Sequence, residues 1–463
     1  MELYLYNTLN KKKELFEPIR KTKAYLYTCG PTVYDFSHIG NFRTFVFEDL
    51  LKRWLLHIGY EVKHVMNITD VDDKTIKKSI DMNLSINKVT NRYLSEFMLD
   101  IEWLNILPAD FFPKATEYIP EMISMINKLI KNNMAYIEDD GSVYFNISSF
   151  AEYGQLANIG FDNRKKYKSK RLDDEYSLDS VQDFVLWKSK KESDGEVFWD
   201  SPWGKGRPGW HIECSAMSTK ILGDHFDIHC GGVDNIFPHH ENEIAQSVGA
   251  NKKKFVNYWV HSEHLMIDGN KMSKSKINYF TLKELRKKGF SAQSIRYQLL
   301  SGHYRTKISF SLNKKHESDK IVNRITDFYL FLKKLGANKL PGNKFPDEYF
   351  EFKNYMNDDL DTPKAIASFL DWIKVAKKRI DKNESKDQEL NSAWNFICAF
   401  DYIFGFVIKE DFKIESNIDS ILIRRKKARE NKDWVLSDIL RDELLKHGWI
   451  VEDTKYGQKL KRV

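Results

Sequence analysis

The chain has 463 residues, 42% of them hydrophobic and 30% charged, with a formal net charge of +7 and four cysteines. No apolar run approaches the roughly 18 residues that a membrane span needs, which excludes a membrane-spanning helix, and a prior of about 150 residues per domain gives roughly three modules. Irregularly spaced cysteines exclude a disulfide framework, and Met1 to Lys13 lacks the basic-then-apolar pattern of a signal peptide, so a cytoplasmic location without disulfides is expected.

In chain order, Ala24 to Thr28 reads as a buried strand. Phe42, Phe45, Val46, Leu50, Trp54, Leu55 and Ile58 then recur at helical spacing, closed by Gly59. The β-rich run Glu61 to Ile68 follows and ends in the acidic cluster Asp70, Asp72 and Asp73. Strand, helix, strand is the opening of a doubly wound, Rossmann-type α/β domain, whose ligands sit at the carboxyl ends of the strands. Cys29, Gly30 and Thr69 fall at such ends.

Between Pro113 and Asp200 the pattern changes to a helix over Ile119 to Asn132, short β-type pieces over Ser142 to Ile147 and a charged stretch, Arg164 to Asp183, which together read as an inserted connective subdomain. The α/β pattern resumes with Gly209 to Leu222, Asp224 to Cys230 and a helix from Pro238 to Val248. From Thr281 onward the chain reads as mostly helical, clearest over Ile321 to Leu335 and Pro363 to Ile380. The end is basic: from Arg424 to Val463 twelve Lys/Arg face seven Asp/Glu, a candidate polyanion surface or a solvated helix face.

Two short segments point to nucleotide phosphates. His38-Ile39-Gly40-Asn41 stands where the first strand gives way to the first helix, so its side chains crown a helix N-terminus, which favours anions. Lys271-Met272-Ser273-Lys274-Ser275 follows the turn signal Asp268-Gly269 and places two lysines on a polar loop. Donors approaching from both sides suit the charge that develops when an α-phosphate is attacked.

A metal set is also available. Cys29 and Cys214 supply thiols, and His239 and Glu243, four apart on a predicted helix, share one face. Two thiolates, an imidazole and a carboxylate make an acceptable tetrahedral zinc set. His240 competes with His239, and Cys230, before two glycines, is a further candidate ligand, although glycines after a strand more often permit close approach to a substrate.

The strings CGPTVYDFSHIGN, NITDVDDK, GWHIECSAM, HCGGVDNIFPHHENE and KMSKS resemble the cysteinyl-tRNA synthetase family, a class I aminoacyl-tRNA synthetase. HYR at 303–305, DDLDTPKA at 358–365, ARENKDW at 428–434 and ILRD at 439–442 carry the resemblance through the rest of the chain. It implies zinc on Cys29, Cys214, His239 and Glu243. It implies ATP at Pro31, Thr32, His38, Gly40, Asn41, Lys271, Ser273 and Lys274, with His38, Asn41, Lys271 and Lys274 catalytic, and cysteine or adenylate contacts at Gly30, Thr69, Trp210, His229 and Asp234. Asn41 replaces the histidine that usually ends the first class I motif, and the stretch 172–183 departs from the family pattern.

The implied organisation is a catalytic domain in two halves, 1–112 and 201–264, around an insertion at 113–200. A stem-contact region with the lysine loop at 265–320, a helical bundle at 321–405 and an anticodon-binding domain at 406–463 follow. Implied partners are ATP with Mg²⁺, L-cysteine and tRNA(Cys); a monomer is expected because no long apolar stripe is left over for a partner, and no editing domain is expected to be needed. The zinc explains that economy, because a soft thiolate binds it and a serine hydroxyl or alanine methyl does not, whereas an apolar pocket separates such side chains by only about 1–3 kcal/mol. Two other functions fit parts of the pattern: a ligase joining cysteine to a small amine, and a non-catalytic RNA-binding paralogue. Trp434 and Trp449 are read either as base-stacking groups or as core.

Overall fold

The computed structural model describes residues 2–159, 170–171, 183–271, 279–339, 341–381, 387–408, 416–447, 449–454 and 457–462. The chain divides into two compact units, 1–408 and 409–463.

The first unit opens with an antiparallel hairpin, β1 (Tyr4–Asn7) and β2 (Lys12–Leu15), whose second strand is too charged to read as one from sequence. The expected strand–helix–strand follows as β3 (Lys23–Thr28), α1 (Ile39–His57) and β4 (Glu61–Met66). Helices α2 (Asp73–Asp81) and α3 (Ile86–Trp103) lead to the inserted region: α4 (Ile119–Lys131), β5 (Ala135–Ile137), β6 (Val143–Phe145), β7 (Lys170–Arg171), β8 (Asp183–Ser189) and β9 (Gly206–Pro208). These strands form one sheet in the order β5-β6-β8-β7, with β9 on β8. Its apolar face, with Phe145, Phe184 and Leu186, packs with Met122 and Leu129 of α4 in one buried cluster. Of the departing stretch 172–183, only Asp183 lies within the described residues.

The α/β pattern then resumes with α5 (Trp210–Leu222), β10 (Phe226–Gly232), the short α6 (Val233–Asn235), α7 (Glu241–Asn251) and β11 (Val256–Ser262). The sequence places a regular helix from Pro238. That helix is present and begins after Phe237, which is extended at φ −136° and ψ 133°; its first turn, to His240, is of the wider π type, and it continues as α7 from Glu241.

β3, β4, β10 and β11 form a parallel four-stranded sheet in the order β11-β10-β3-β4. The chain leaves β3 toward β4 on one side, while β10 lies on the other. The strand order therefore reverses between β3 and β10, the crevice where open α/β sheets bind ligands. Register pairs Tyr27 with His229 and Thr28 with Cys230, so Cys29 and the Gly231-Gly232 pair emerge side by side at that crevice. The hairpin covers the outer edge: Thr8 N donates to Trp259 O at 2.8 Å, and Asn7 Oδ1 accepts from Trp259 N at 3.1 Å.

β12 (Leu265–Ile267), β13 (Asn270–Lys271), α8 (Leu282–Lys287), α9 (Ala292–Leu300) and β14 (Ile308–Phe310) come next. The helical part comprises α10 (Lys315–Lys334), α11 (Glu348–Asn357), α12 (Thr362–Asp381) and α13 (Asp387–Phe404). Aromatic packing holds it together, with Phe369 stacked on Phe400 at 3.6 Å and Phe352 against Phe396 at 5.4 Å.

The second unit contains α14 (Ser416–Glu430), α15 (Trp434–Lys446) and an antiparallel pair, β15 (Trp449–Thr454) and β16 (Gly457–Arg462). Ile418, Ile421, Leu440, Leu444, Trp449 and Val451 form its core. The buried Arg425 donates to both Asp453 oxygens, at 2.8 and 2.7 Å, which holds that carboxyl below its ordinary range. Trp449 is therefore core. Trp434 is 55% exposed, with the Arg429 guanidinium 5.3 Å from its ring centre.

Candidate active site and metal centre

Four segments converge at the β3/β10 crevice. Cys29 follows β3, Cys214 lies on α5, His239 precedes α7 and Glu243 lies in its first turn; their ligand atoms are all within 4.8 Å of one another. Glu243 Oε1 lies 3.1 Å from His239 Nε2 yet makes no hydrogen bond among the described residues. Two acceptors that close and not bonded to each other point at a common third position, which is how metal ligands are disposed. The Cys214 hydrogen bond and burial together push the Cys29 thiol well above its ordinary pKa, and burial raises Glu243 to about 8. Two thiols, an imidazole and a carboxylate with their ligand atoms this close together fit a zinc ion.

Imidazoles surround this set. His211 Nδ1 is 2.9 Å from His239 Nδ1, His229 Nε2 is 3.0 Å from Glu243 Oε2, and His240 Nε2 is 3.2 Å from Cys29 Sγ. His240 Nδ1 meets His261 Nε2 at 2.8 Å, and His261 Nδ1 meets Thr8 Oγ1 at 2.8 Å. Trp210 stacks on His239 with ring centres 4.4 Å apart. His211, His261 and Thr8 escaped the sequence reading, since they come from separate elements and carry no shared spacing.

One wall is backbone. Thr69 N donates to Pro31 O at 3.1 Å, Val33 N donates to Thr69 O at 3.1 Å, and Thr32 bridges Thr69. Gly30 N donates to Asn67 Oδ1 at 3.0 Å, and a Cβ on Gly30 would collide with the Asn67 carbonyl, so only glycine lets these strand ends approach. Thr69 Oγ1 donates to Glu213 Oε2 at 3.1 Å, and burial drives that carboxyl well above its ordinary pKa. Gly30, Pro31, Thr32, Thr69, Trp210 and His229 thus gather around the same crevice. Asp234 is exposed at the start of α6, beyond the end of β10.

The first phosphate motif caps α1. His38 Nδ1 accepts from Asn41 N at 3.2 Å, and Asn41 Oδ1 accepts from His38 N at 3.0 Å, a reciprocal capping box. An imidazole that accepts at Nδ1 carries its proton on Nε2, where it donates to an anion. Gly40 occupies the second position of the helix. The exit from the lysine loop is fastened here too: Ile39 N donates to Phe280 O at 2.8 Å, His38 bridges Thr281, and the Tyr279 ring meets the His38 ring edge-on at 4.9 Å. Lys271 ends β13; its side chain, Ser273 and Lys274 lie outside the described residues.

Comparison with known proteins shows the family to which the chain belongs. Residues 15–320 match the family described as tRNA synthetases class I (C) catalytic domain, 351–409 the DALR domain and 413–459 the cysteinyl-tRNA ligase anticodon binding domain. Solved structures with a similar fold include a Mycobacterium tuberculosis methionyl-tRNA synthetase in complex with methionyl-adenylate (TM-score 0.59, 14% identity, 82% of this chain and 89% of that one). Another is the Agrobacterium radiobacter K84 agnB2 LeuRS in a ternary complex with tRNA and LeuAMS (TM-score 0.61, 10% identity, 84% and 85% covered). The fold and crevice are those of a class I aminoacyl-tRNA synthetase. Curated relatives narrow this: "Cysteine--tRNA ligase" of Chlamydia muridarum is 44% identical over 100% of both chains, and that of Protochlamydia amoebophila is 42% identical over 99% of this chain and 98% of its own. The chain belongs to the cysteinyl-tRNA synthetase family.

Proposed function

We propose that this enzyme joins L-cysteine to tRNA(Cys) in two steps, with zinc held by Cys29, Cys214, His239 and Glu243 as the selector of the side chain. In the first step a cysteine carboxylate oxygen bonds to the α-phosphorus of ATP as the bond to the β-phosphate oxygen breaks, giving cysteinyl-adenylate and pyrophosphate. In the second, a hydroxyl of the terminal tRNA ribose attacks the adenylate carbonyl, AMP departs, and the hydroxyl proton leaves with it or passes to solvent. Bound by these four side chains, zinc would supply a borderline-soft Lewis acid with affinity for a thiolate and little for a hydroxyl or methyl.

The protein's part in the chemistry is placement and charge. The His38 Nε2–H, the Asn41 amide and the α1 N-terminus offer donors to the phosphates of Mg²⁺-bearing ATP, and Lys271 and Lys274 offset the charge of the departing pyrophosphate. Ser273, Pro31, Thr32 and Gly40 line the nucleotide's path. Gly30, Thr69, Trp210, His229 and Asp234 surround the amino acid and adenylate. A matched anticodon-binding domain at 413–459 favours tRNA over a small amine as acceptor, and the retained ligand set and both phosphate motifs favour an enzyme over an inert RNA binder. We retain the monomer and the cytoplasmic location as part of this reading. Among the described residues, no helix is long and apolar enough to cross a membrane.

The observation that carries the proposal is the convergence of two thiols, an imidazole and a carboxylate beside the Gly30–Thr69 wall. Amino-acid-dependent ATP–pyrophosphate exchange tests it. Exchange is expected with cysteine and at most about a hundredth of that rate with serine, roughly the 3 kcal/mol that separates a liganded from an unliganded side chain. Cys214→Ser is expected to lose most of that preference. Equal rates for the two amino acids in the unsubstituted enzyme would refute the metal as selector.

A further inference from the structure

Cys29 and Glu243 belong to two tetrads. The ligand atoms of Cys29, His229, His240 and Glu243 also lie within 4.8 Å of one another, without Cys214 or His239. Within this second set Cys29 Sγ is 3.2 Å from His240 Nε2, Glu243 Oε2 is 3.0 Å from His229 Nε2, and Glu243 Oε1 is 3.9 Å from His240 Nε2. Metal–ligand bonds of about 2.0–2.3 Å in a tetrahedron put neighbouring ligand atoms about 3.3–3.7 Å apart, and with Glu243 Oε2 as its ligand atom the Cys29–His240 and His229–Glu243 separations of 3.2 and 3.0 Å lie close to that edge length.

Both extra imidazoles are also oriented from behind. His229 Nδ1 lies 3.3 Å from the Cys230 carbonyl, and His240 Nδ1 is held by His261, itself held by Thr8. Ligating histidines nearly always have the remote nitrogen anchored in this way, which fixes Nε2 as the atom presented to a metal. We propose that the crevice contains a second seat for a borderline divalent ion, formed by Cys29, His229, His240 and Glu243, and that the two seats exclude each other because they share two ligands. The inference rests on the reading of Cys29 and Glu243 as metal ligands.

Charge explains why a set with one sulfur fewer competes. Two thiolates and a carboxylate over-neutralise a divalent ion, whereas one thiolate, one carboxylate and two neutral imidazoles match it. Burial away from solvent disfavours the surplus anion. Zinc, cobalt and nickel are the ions that accept this mixture of imidazole, sulfur and oxygen.

The test uses the full chain, stripped with a chelator and titrated with Co²⁺, whose visible absorption reports affinity and thiolate ligation. In a Cys214→Ala background the first seat keeps three ligands and the second keeps four. Adding His240→Gln is then expected to weaken Co²⁺ binding about tenfold or more, and adding His239→Gln to weaken it less than about threefold. The reverse order, or equal losses, overturns the second seat. X-ray absorption of Cys214→Ala alone needs no further substitution: two coordinated imidazoles support the seat, and one overturns it. Unsubstituted protein separates the two readings. If it takes up no Co²⁺, the metal centre itself falls and the second seat with it; if it takes up one while Cys214→Ala shows a single imidazole, only the second seat falls.

Discussion

Glu48 is a glutamate in the wrong company. It sits mid-way along α1 at 0% exposure, and among the described residues neither carboxyl oxygen has a hydrogen-bond partner. Burial pushes its pKa well above the ordinary 4.5. The folded chain therefore holds a proton that the unfolded chain releases above about that pH, and folding stability falls as pH rises through this window. Glu48→Met is expected to stabilise the protein at pH 8 by about 1–3 kcal/mol, the cost of a buried polar group left unsatisfied, with the gain shrinking toward pH 4. Urea unfolding at the two pH values measures this, and an unchanged midpoint at pH 8 would contradict it. At this scale the sequence was legible where a residue's chemistry is local, as with the capping pair His38 and Asn41 four residues into one motif. It was silent about Glu48, His261 and Thr8, whose character comes from neighbours supplied by other segments.

Helix α1 illustrates what periodicity conveys about an element. Phe42, Phe45, Val46, Leu50, Trp54 and Leu55 are all in the core, as their spacing requires. Yet Arg43, Asp49 and Arg53 on the same helix are also buried, so the helix is enclosed on every side and has no solvent face for the pattern to reveal. Its charges are matched at long range. Asp49 accepts from Arg53 Nε at 2.8 Å and from Leu107 N at 2.9 Å, and pairs with Arg296 of α9 at 2.8 Å. Arg53 also donates to the Tyr402 carbonyl at 2.7 Å and Arg296 to the Phe404 carbonyl at 2.7 Å, tying the α13 end to α1 and α9. Asp49→Ala strands two buried guanidiniums. It should cost about 3–5 kcal/mol in chemical unfolding. A loss under 1 kcal/mol would show that the cluster relaxes or hydrates. Amphipathic α12, by contrast, was readable almost to the residue: Pro363 to Ile380 from sequence against Thr362–Asp381.

For the whole molecule, the doubly wound order and its crevice followed from the early strand–helix–strand and from glycines at strand ends. The β1–β2 hairpin did not, because charge masks its second strand, and neither did the π-type widening of the turn that opens the helix after Phe237, which the spacing of side chains does not distinguish from a regular turn. The basic terminal unit, read as a polyanion surface, leads to a test at this scale. Phosphate contacts make binding fall steeply with salt, whereas adenylate formation involves only small ligands. Raising salt from 50 to 200 mM is expected to increase the KM for tRNA by about tenfold or more while changing the KM for cysteine by less than about twofold. Parallel changes in the two would argue that the basic surface does not bear on tRNA.

The segment from Gly30 to Ser37 joins Cys29 to His38 and is stapled along its length, to Asn67 and Thr69 near its start and to Tyr279 at Phe36. One covalent span thus fixes the interval between the proposed sulfur-sensing end of the pocket and the proposed phosphate-holding end. On the reaction proposed above it is a gauge: an amino acid whose side chain seats at one end would present its carboxylate at a set reach from the nucleotide, so that checking the side chain and aligning the reaction would be a single act of measurement.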